Sequence, residues 1–258
     1  MDRARYAGKV RIVLTNDDGI DAPGIASLAK ALESFGEVWI FAPAAGVSSC
    51  GHGVSEGAFR VFQLGPRRYA VDGKPADCTR VAMHLLKDSI DWVFSGINDG
   101  GNLGVDVYYS GTVAGVREAA FRGIPAVAFS HYKDRPLREK DWLRAADWAQ
   151  AVIPQILERS CPTGGFWNVN FPCPLAATTE LPEIVECALE EAPLPLDYLV
   201  EGDVFRYHGR YARRARSAGS DVQQCFAGNI SVSYLHPFPA GTSAVGIREA
   251  DMASKADV

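Results

Sequence analysis

The sequence predicts an α/β fold, a mainly parallel sheet with helices on both faces, followed by a C-terminal extension. Three observations predict it. Short β-branched runs alternate with amphipathic stretches of helical length as far as about residue 171. The first of them, from Val10, is an apolar, β-branched run read as a buried parallel strand. From about Pro174 helical periodicity fades and prolines cluster, at Pro174, Pro182, Pro193 and Pro195. With 258 residues the chain has room for one large domain and an appendage, here 1–175 as the core and 176–258 as the extension.

The first strand starts at Val10 and stops abruptly at Asn16-Asp17-Asp18-Gly19, and Pro23 then opens a helix carrying Ile25, Leu28, Ala29, Leu32 and Phe35 at helical spacing. Residues 37–42 form a second strand, closed by Pro43, and 44–53 form a small, polar loop. Residues 59–64 and 68–71 read as a hairpin around Gly65-Pro66. Pro75 opens a helix with Cys78, Val81, Ala82, Leu85 and Leu86 on its buried face. Residues 90–95 are the next strand, 96–110 a long Gly/Asn/Asp loop, and 112–122 a helix. A strand at 125–130, a helix at 142–157 and a strand at 166–171 complete the core. In the extension, residues 230–235 alternate as a half-exposed strand does, and Arg206, Arg210, Arg213, Arg214 and Arg216 make a basic patch. An irregular arm of this kind suits contacts between subunits.

Composition excludes several classes of partner. A net charge of −5 argues against a nucleic-acid-wrapping protein. No apolar run approaches the roughly 20 residues of a membrane helix, and residues 1–6 lack the apolar stretch of a secretory signal. The six cysteines include no Cys-x-x-Cys pair, so free thiols in a cytoplasmic setting are expected.

In an open parallel sheet ligands bind at the carboxyl ends of the strands. The fold rule brings Asp17 and Asp18, the 48–52 loop and the 96–104 loop to one crest. Two adjacent carboxylates repel each other unless a cation lies beside them. Asp17 and Asp18 with the neutral oxygens of Ser48 and Asn98 form an all-oxygen set suited to Mg²⁺ or Mn²⁺. The plain alternatives are a turn serine at Ser48 and a loop-bracing amide at Asn98. Ser110-Gly111-Thr112 enters a helix, where backbone N–H groups, two hydroxyls and an absent side chain suit an anion, or where a hydroxyl simply caps the helix. A metal loop joined to an anion loop points to phosphate monoester hydrolysis. His52 and His131 fall near the crest and read as packing or loop residues, and Tyr108 and Tyr109 either stack on a base or pack within the subunit.

Six stretches carry a closer likeness: residues 15–19, 22–24, 72–78, 95–98, 101–104 and 109–113, joined by Asn168-Val169-Asn170-Phe171-Pro172. Together they closely resemble the SurE family of metal-dependent 5′-nucleotidases, strongly over about 9–175 and weakly over 220–236. The resemblance implies a Rossmann-like three-layer αβα core and a C-terminal extension exchanged between subunits, giving a homodimer or homotetramer. It implies one divalent cation per subunit on Asp17, Asp18, Ser48 and Asn98, and phosphate on Ser110, Gly111 and Thr112 with Asn102 nearby. It implies metal-dependent hydrolysis of nucleoside 5′-monophosphates, with 3′-monophosphates as further substrates. The residues themselves favour attack by metal-activated water, with Asp17 and Asp18 as the catalytic pair and Asp18 the better placed to orient the water, over a phospho-aspartate route, because Asn16-Asp17-Asp18-Gly19 lacks Asp-x-Asp spacing. The family's usual Asp-Arg pair is replaced here by Ala44-Ala45, Asp99 stands where a small or basic residue is common, and Lys74 replaces a threonine. Two other readings remain open, a broad phosphomonoesterase or exopolyphosphatase and a nucleotide-binding sensor without turnover.

Overall fold

A computed structural model describes residues 10–87, 89–159, 164–173 and 180–238. The boundary expected at 175/176, Cys161, Pro174 and the N-terminal hexapeptide lie outside the described residues. The core runs β1 (Arg11–Thr15), α1 (Pro23–Leu32), β2 (Glu37–Pro43), β3 (Val61–Gly65), β4 (Arg68–Val71), α2 (Pro75–Leu86), β5 (Trp92–Asn98), α3 (Asp106–Tyr109), α4 (Gly111–Ala120), β6 (Ala126–His131), α5 (Glu139–Glu158) and β7 (Phe166–Phe171). Beyond it come β8 (Ile184–Glu186), β9 (Tyr198–Glu201), β10 (Val204–Tyr207), α6 (Asp221–Phe226) and β11 (Ile230–Leu235).

The main sheet has the order β3-β4-β2-β1-β5-β6-β7-β11-β8, and its centre from β4 to β7 is parallel. Strand β1 explains why both faces are covered. Ile12 and Leu14 point into a core with Ile25, Leu28 and Leu32 of α1 and Trp148, Val152 and Ile153 of α5. Val13, between them, points the other way, toward Cys78 of α2 and Val113 and Val116 of α4. From β1 the chain moves outward to β2 and β4, then returns to place β5 on the opposite side of β1. That reversal is the switch point at which doubly wound sheets open a crevice.

Several elements differ from expectation. Strand β11 is not half-exposed: Ile230 to Ser233 are buried, because β11 lies between β7 and β8 with α6 against it. Its pairing with β7 is antiparallel. Leu85 of α2 is half exposed, since α2 meets α4 and the sheet along a narrower stripe. Inside the long loop β5 continues to Asn98 and α3 adds a single turn. Of the arginines expected as a basic patch, Arg214 does not belong to the surface, while Arg206, Arg210, Arg213 and Arg216 are exposed. Arg214 is buried in an ion pair with Asp106, and the Arg216 guanidinium lies over the Phe226 ring, 4.4 Å from its centroid. Strands β9 and β10 form a separate antiparallel hairpin with Tyr198, Val200, Val204 and Phe205 in solvent.

Candidate active site

At the end of β1, Asn16 Nδ2 donates to the Gly19 carbonyl at 2.8 Å, and Gly19 takes φ +103°, which only glycine adopts easily. This tight turn holds Asp17 and Asp18 at the switch point. The backbone N–H of Val47 donates to the Asp17 carbonyl at 2.8 Å, tying the loop after β2 to the same turn.

Asp17 is buried, and its Oδ1 accepts from the Thr112 hydroxyl. Burial pushes its carboxyl up to about 6, with the neighbouring Asp18 adding to the effect and the Thr112 bond opposing it. Asp18 is raised too, again chiefly by burial, while its Oδ2 accepts from the Asp99 backbone N–H at 3.0 Å. Asp99 is offset by Lys133, 2.6 Å away. Asn98 Nδ2 donates to the Gly100 carbonyl at 2.9 Å, so its amide oxygen is the end left for a cation. Gly111 sits where an added Cβ would stand 2.8 Å from Asp17 Cβ and 2.9 Å from Cys50 Sγ. Its missing side chain therefore makes room for Asp17 itself. Ser110 caps α4, its hydroxyl oxygen accepting from Val113 N–H at 3.0 Å.

A cavity of about 320 Å³ opens on this crest, and Asp17, Asp18, Ser48, Asn98, Asn102 and Ser110 all line it. Gly111 and Thr112 lie behind it, against Asp17. Two crowded carboxylates with raised proton affinity and two neutral oxygen donors fit a hard divalent cation. No three His, Cys, Asp or Glu side chains gather as a metal cluster among the described residues. The set at this crest relies on hydroxyl and amide oxygens instead.

Sequence reasoning missed the frame that holds the cavity wall. Asn102 N–H donates to Asn170 Oδ1 at 2.8 Å, its carbonyl accepts from Asn168 and Asn170, and its Nδ2 donates to Ser130 Oγ at 2.8 Å. Asn168 and Asn170 are alternate residues of one buried strand, a pair of polar groups on one face that marks them in the sequence. Asp106 lines the cavity and is held by Arg214 and by the Tyr211 hydroxyl at 2.8 Å. Asp221 accepts from Gly104 N–H at 2.7 Å and from Glu190 N–H at 2.8 Å. Segment 190–221 thus clasps loop 101–106.

His52 and His131 serve the structure. His52 meets Glu118 at 3.1 Å, and that glutamate also pairs with Arg80 at 3.1 Å. His131 is fully buried among Trp142, Trp148 and Phe171, which pushes its imidazole down to about 4. Tyr108 and Tyr109 are exposed rather than packed within the subunit.

The profile of the survival protein SurE family matches residues 12–191. A Synechocystis sp. protein, provisionally named a 5′-nucleotidase, is 47% identical over 227 residues, covering 88% of this chain and 99% of its own. The 5′-nucleotidase SurE of Paramagnetospirillum magneticum is 38% identical over 236 residues, 88% of this chain and 89% of its own. Among solved structures, the SurE protein from Aquifex aeolicus superposes with a TM-score of 0.75 at 27% identity, covering 94% of this chain and 96% of that one. With a crest of this make-up and a profile match across most of its length, the chain belongs to the SurE family.

Proposed function

We propose that the protein is a divalent-metal-dependent 5′-nucleotidase that releases phosphate from nucleoside monophosphates. One observation carries the reading: the Asp17-Asp18 pair and the N-terminus of α4 at Ser110 face one cavity. Its curated relatives bear the name 5′-nucleotidase, which supports the substrate class. Asp17, Asp18, Ser48 and Asn98 would hold the cation, Mg²⁺ or Mn²⁺. When bound, such an ion supplies Lewis-acid polarisation of a phosphoryl oxygen and a lowered pKa for water. Around it, the hydroxyl of Ser110 and the leading N–H groups of α4 orient the phosphoryl oxygens. Asp17, fixed by Thr112, serves as the rigid ligand. Asp18, with one oxygen on the Asp99 N–H, has its other oxygen to orient the attacking water and take its proton.

The test is phosphate release from 5′-AMP, 5′-GMP and 3′-AMP with Mn²⁺, Mg²⁺ or EDTA. Release that requires metal and favours 5′-nucleotides is expected. Tight, metal-dependent AMP binding without release would replace this reading with a sensor, and equal rates on unrelated phosphomonoesters or polyphosphate with a broad phosphatase.

The exposed hairpin β9–β10 supports a homodimer or homotetramer built through the extension, since isolated two-stranded ribbons are only marginally stable in water. Phe205→Asp is expected to lower the mass measured by sedimentation equilibrium; an unchanged mass would place the contact elsewhere. No helix among the described residues is long and apolar enough to cross a membrane. Five cysteines there are free thiols, which supports a cytoplasmic location.

A further inference from the structure

We propose that a pocket at the opposite end of the sheet from the crest binds a phosphorylated organic molecule of nucleotide size, and that Glu118 relays its presence to the loop carrying Ser48. The pocket, of about 530 Å³, lies where α2 and α4 end and where the chain enters β5 and β6. Ile90 and Ile124, which line it, precede those strands, whereas Asp17 and Asp18 follow β1. The seven residues of β5 put about 20 Å between the two ends. A ligand here leaves the crest free, so the site does not depend on the nucleotidase reading.

The lining is cationic in a chain whose net charge is −5. Arg80, Lys87 and Arg122 face the pocket with His84 beside them, and among the described residues no carboxylate lines it. Arg80 pairs with Glu118, but neither Lys87 nor Arg122 has an ion-pair partner among the described residues. Cations complement helix C-termini, which accounts for Lys87 after α2 and Arg122 after α4. It does not account for Arg80 in mid-helix, or for the floor of Met83, Ile90 and Ile124 left part-exposed between the charges. Guanidinium and ammonium groups together hold several phosphoryl oxygens, and the apolar floor suits a ring. The volume is that of an ordinary small-molecule site. A nucleoside triphosphate uses both the charges and the floor, and an inorganic anion uses only the charges.

Glu118 connects this pocket to the crest. It is buried on α4, and its Oε1 stands 3.1 Å from Arg80 Nε while its Oε2 stands 3.1 Å from His52 Nε2. Arg80 meets Glu118 through Nε, so its terminal nitrogens are the end left for the pocket. His52 belongs to the loop that carries Ser48, and the next residue but one before it, Cys50, abuts Gly111 at the start of α4. An anion on the terminal nitrogens shares the Arg80 guanidinium with Glu118 and weakens that pair. A buried carboxylate that loses part of one partner is held more by the other. Occupancy of the pocket is thus felt at His52.

The probe is ATP, titrated by calorimetry into the full chain in EDTA, which keeps divalent metal from the crest. Binding is expected, with affinity lowered by about tenfold or more in the double variant Lys87→Ala/Arg122→Ala. Both side chains are exposed, so the variant is expected to keep the wild-type melting temperature. No binding, or equal affinity in the variant, overturns the site, and inorganic triphosphate binding as tightly as ATP overturns the organic ligand. Histidine ring signals followed by NMR give the location and the relay together. ATP is expected to shift those of His84 and His52, and Glu118→Gln to keep the His84 shift while losing most of the His52 shift. An unmoved His84 overturns the site. A His52 signal unmoved in the wild type, or moved equally in Glu118→Gln, overturns the relay. None of these measurements needs turnover, so an inactive enzyme would refute the nucleotidase reading alone.

Discussion

Thr112 illustrates how much of the site is held from behind. Its hydroxyl donates to Asp17 and the residue is fully buried, so its role is to fix a carboxylate rather than to greet phosphate. Thr112→Val keeps the shape and removes the bond. Leaving a buried acceptor short of a partner costs on the order of 1–3 kcal/mol. We expect that loss in urea denaturation, together with weaker Mn²⁺ binding by calorimetry; weaker phosphate affinity with intact metal binding would contradict it. His131 makes the pH prediction. Its folded value of about 4 lies below the ordinary 6.5, so the unfolded chain takes up the proton first. Its contribution to stability is therefore intact above pH 6.5 and lost as pH falls toward 4, by about 3 kcal/mol at most. Replacing it in His131→Leu should flatten the acid limb of stability against pH over that window, and equal slopes would refute the assignment. At this scale the meeting of Asp17, Asp18, Ser48, Asn98 and Ser110 around one cavity was legible in the sequence, because each follows or leads an element at one crest. Asp106 and Arg214 were not: 108 residues separate the two halves of that pair, and neither has meaning alone.

Helix α4 is placed by what its glycines lack. A Cβ on Gly115 would stand 2.8 Å from Thr15 Cγ2, and one on Gly111 would meet Asp17 and Cys50. The helix therefore rides close over the end of β1 and carries its N-terminus to the carboxylates. Forcing a methyl into such a contact costs about 1–3 kcal/mol. For Gly111→Ala we expect that loss in thermal denaturation and a larger loss in kcat than in KM, since the helix end and Asp17 are pushed apart. A variant with full activity and wild-type stability would show that the contact yields without consequence. The elements found from sequence are those with a clear pattern: β1, β2, β5 and β6 send apolar side chains to both faces, β7 does so on one face and carries Asn168 and Asn170 on the other, and α1, α2, α4 and α5 each have an apolar stripe. Strand β8 has only three residues and α6 only six, too few to show a period, and β9–β10 keep their apolar side chains in solvent.

Across the whole molecule, the extension is bound to the crest through buried charge. Arg214 pairs with Asp106, donates to the Leu103 carbonyl at 2.8 Å and stacks over Tyr211. Removing one partner strands the other, at a cost of about 3–5 kcal/mol. Arg214→Met should therefore destabilise by that amount in urea and raise KM for 5′-AMP, as loop 101–106 loosens around Asn102. Stability within experimental error of wild type would mean that the extension contributes little to the site. The order of strands has one more consequence, and it concerns synthesis. Strand β7 ends at Phe171, but the partner for its outer edge, β11, begins at Ile230, and β8 can join only after β11 is in place. At roughly 5–20 residues per second a ribosome needs several seconds to cover that interval. Throughout it the nascent chain carries a nearly finished sheet with one hydrogen-bonding edge unsealed, the geometry that invites pairing with another chain. Strand β11, arriving last beside β7, is thus also the element that closes this edge to other chains.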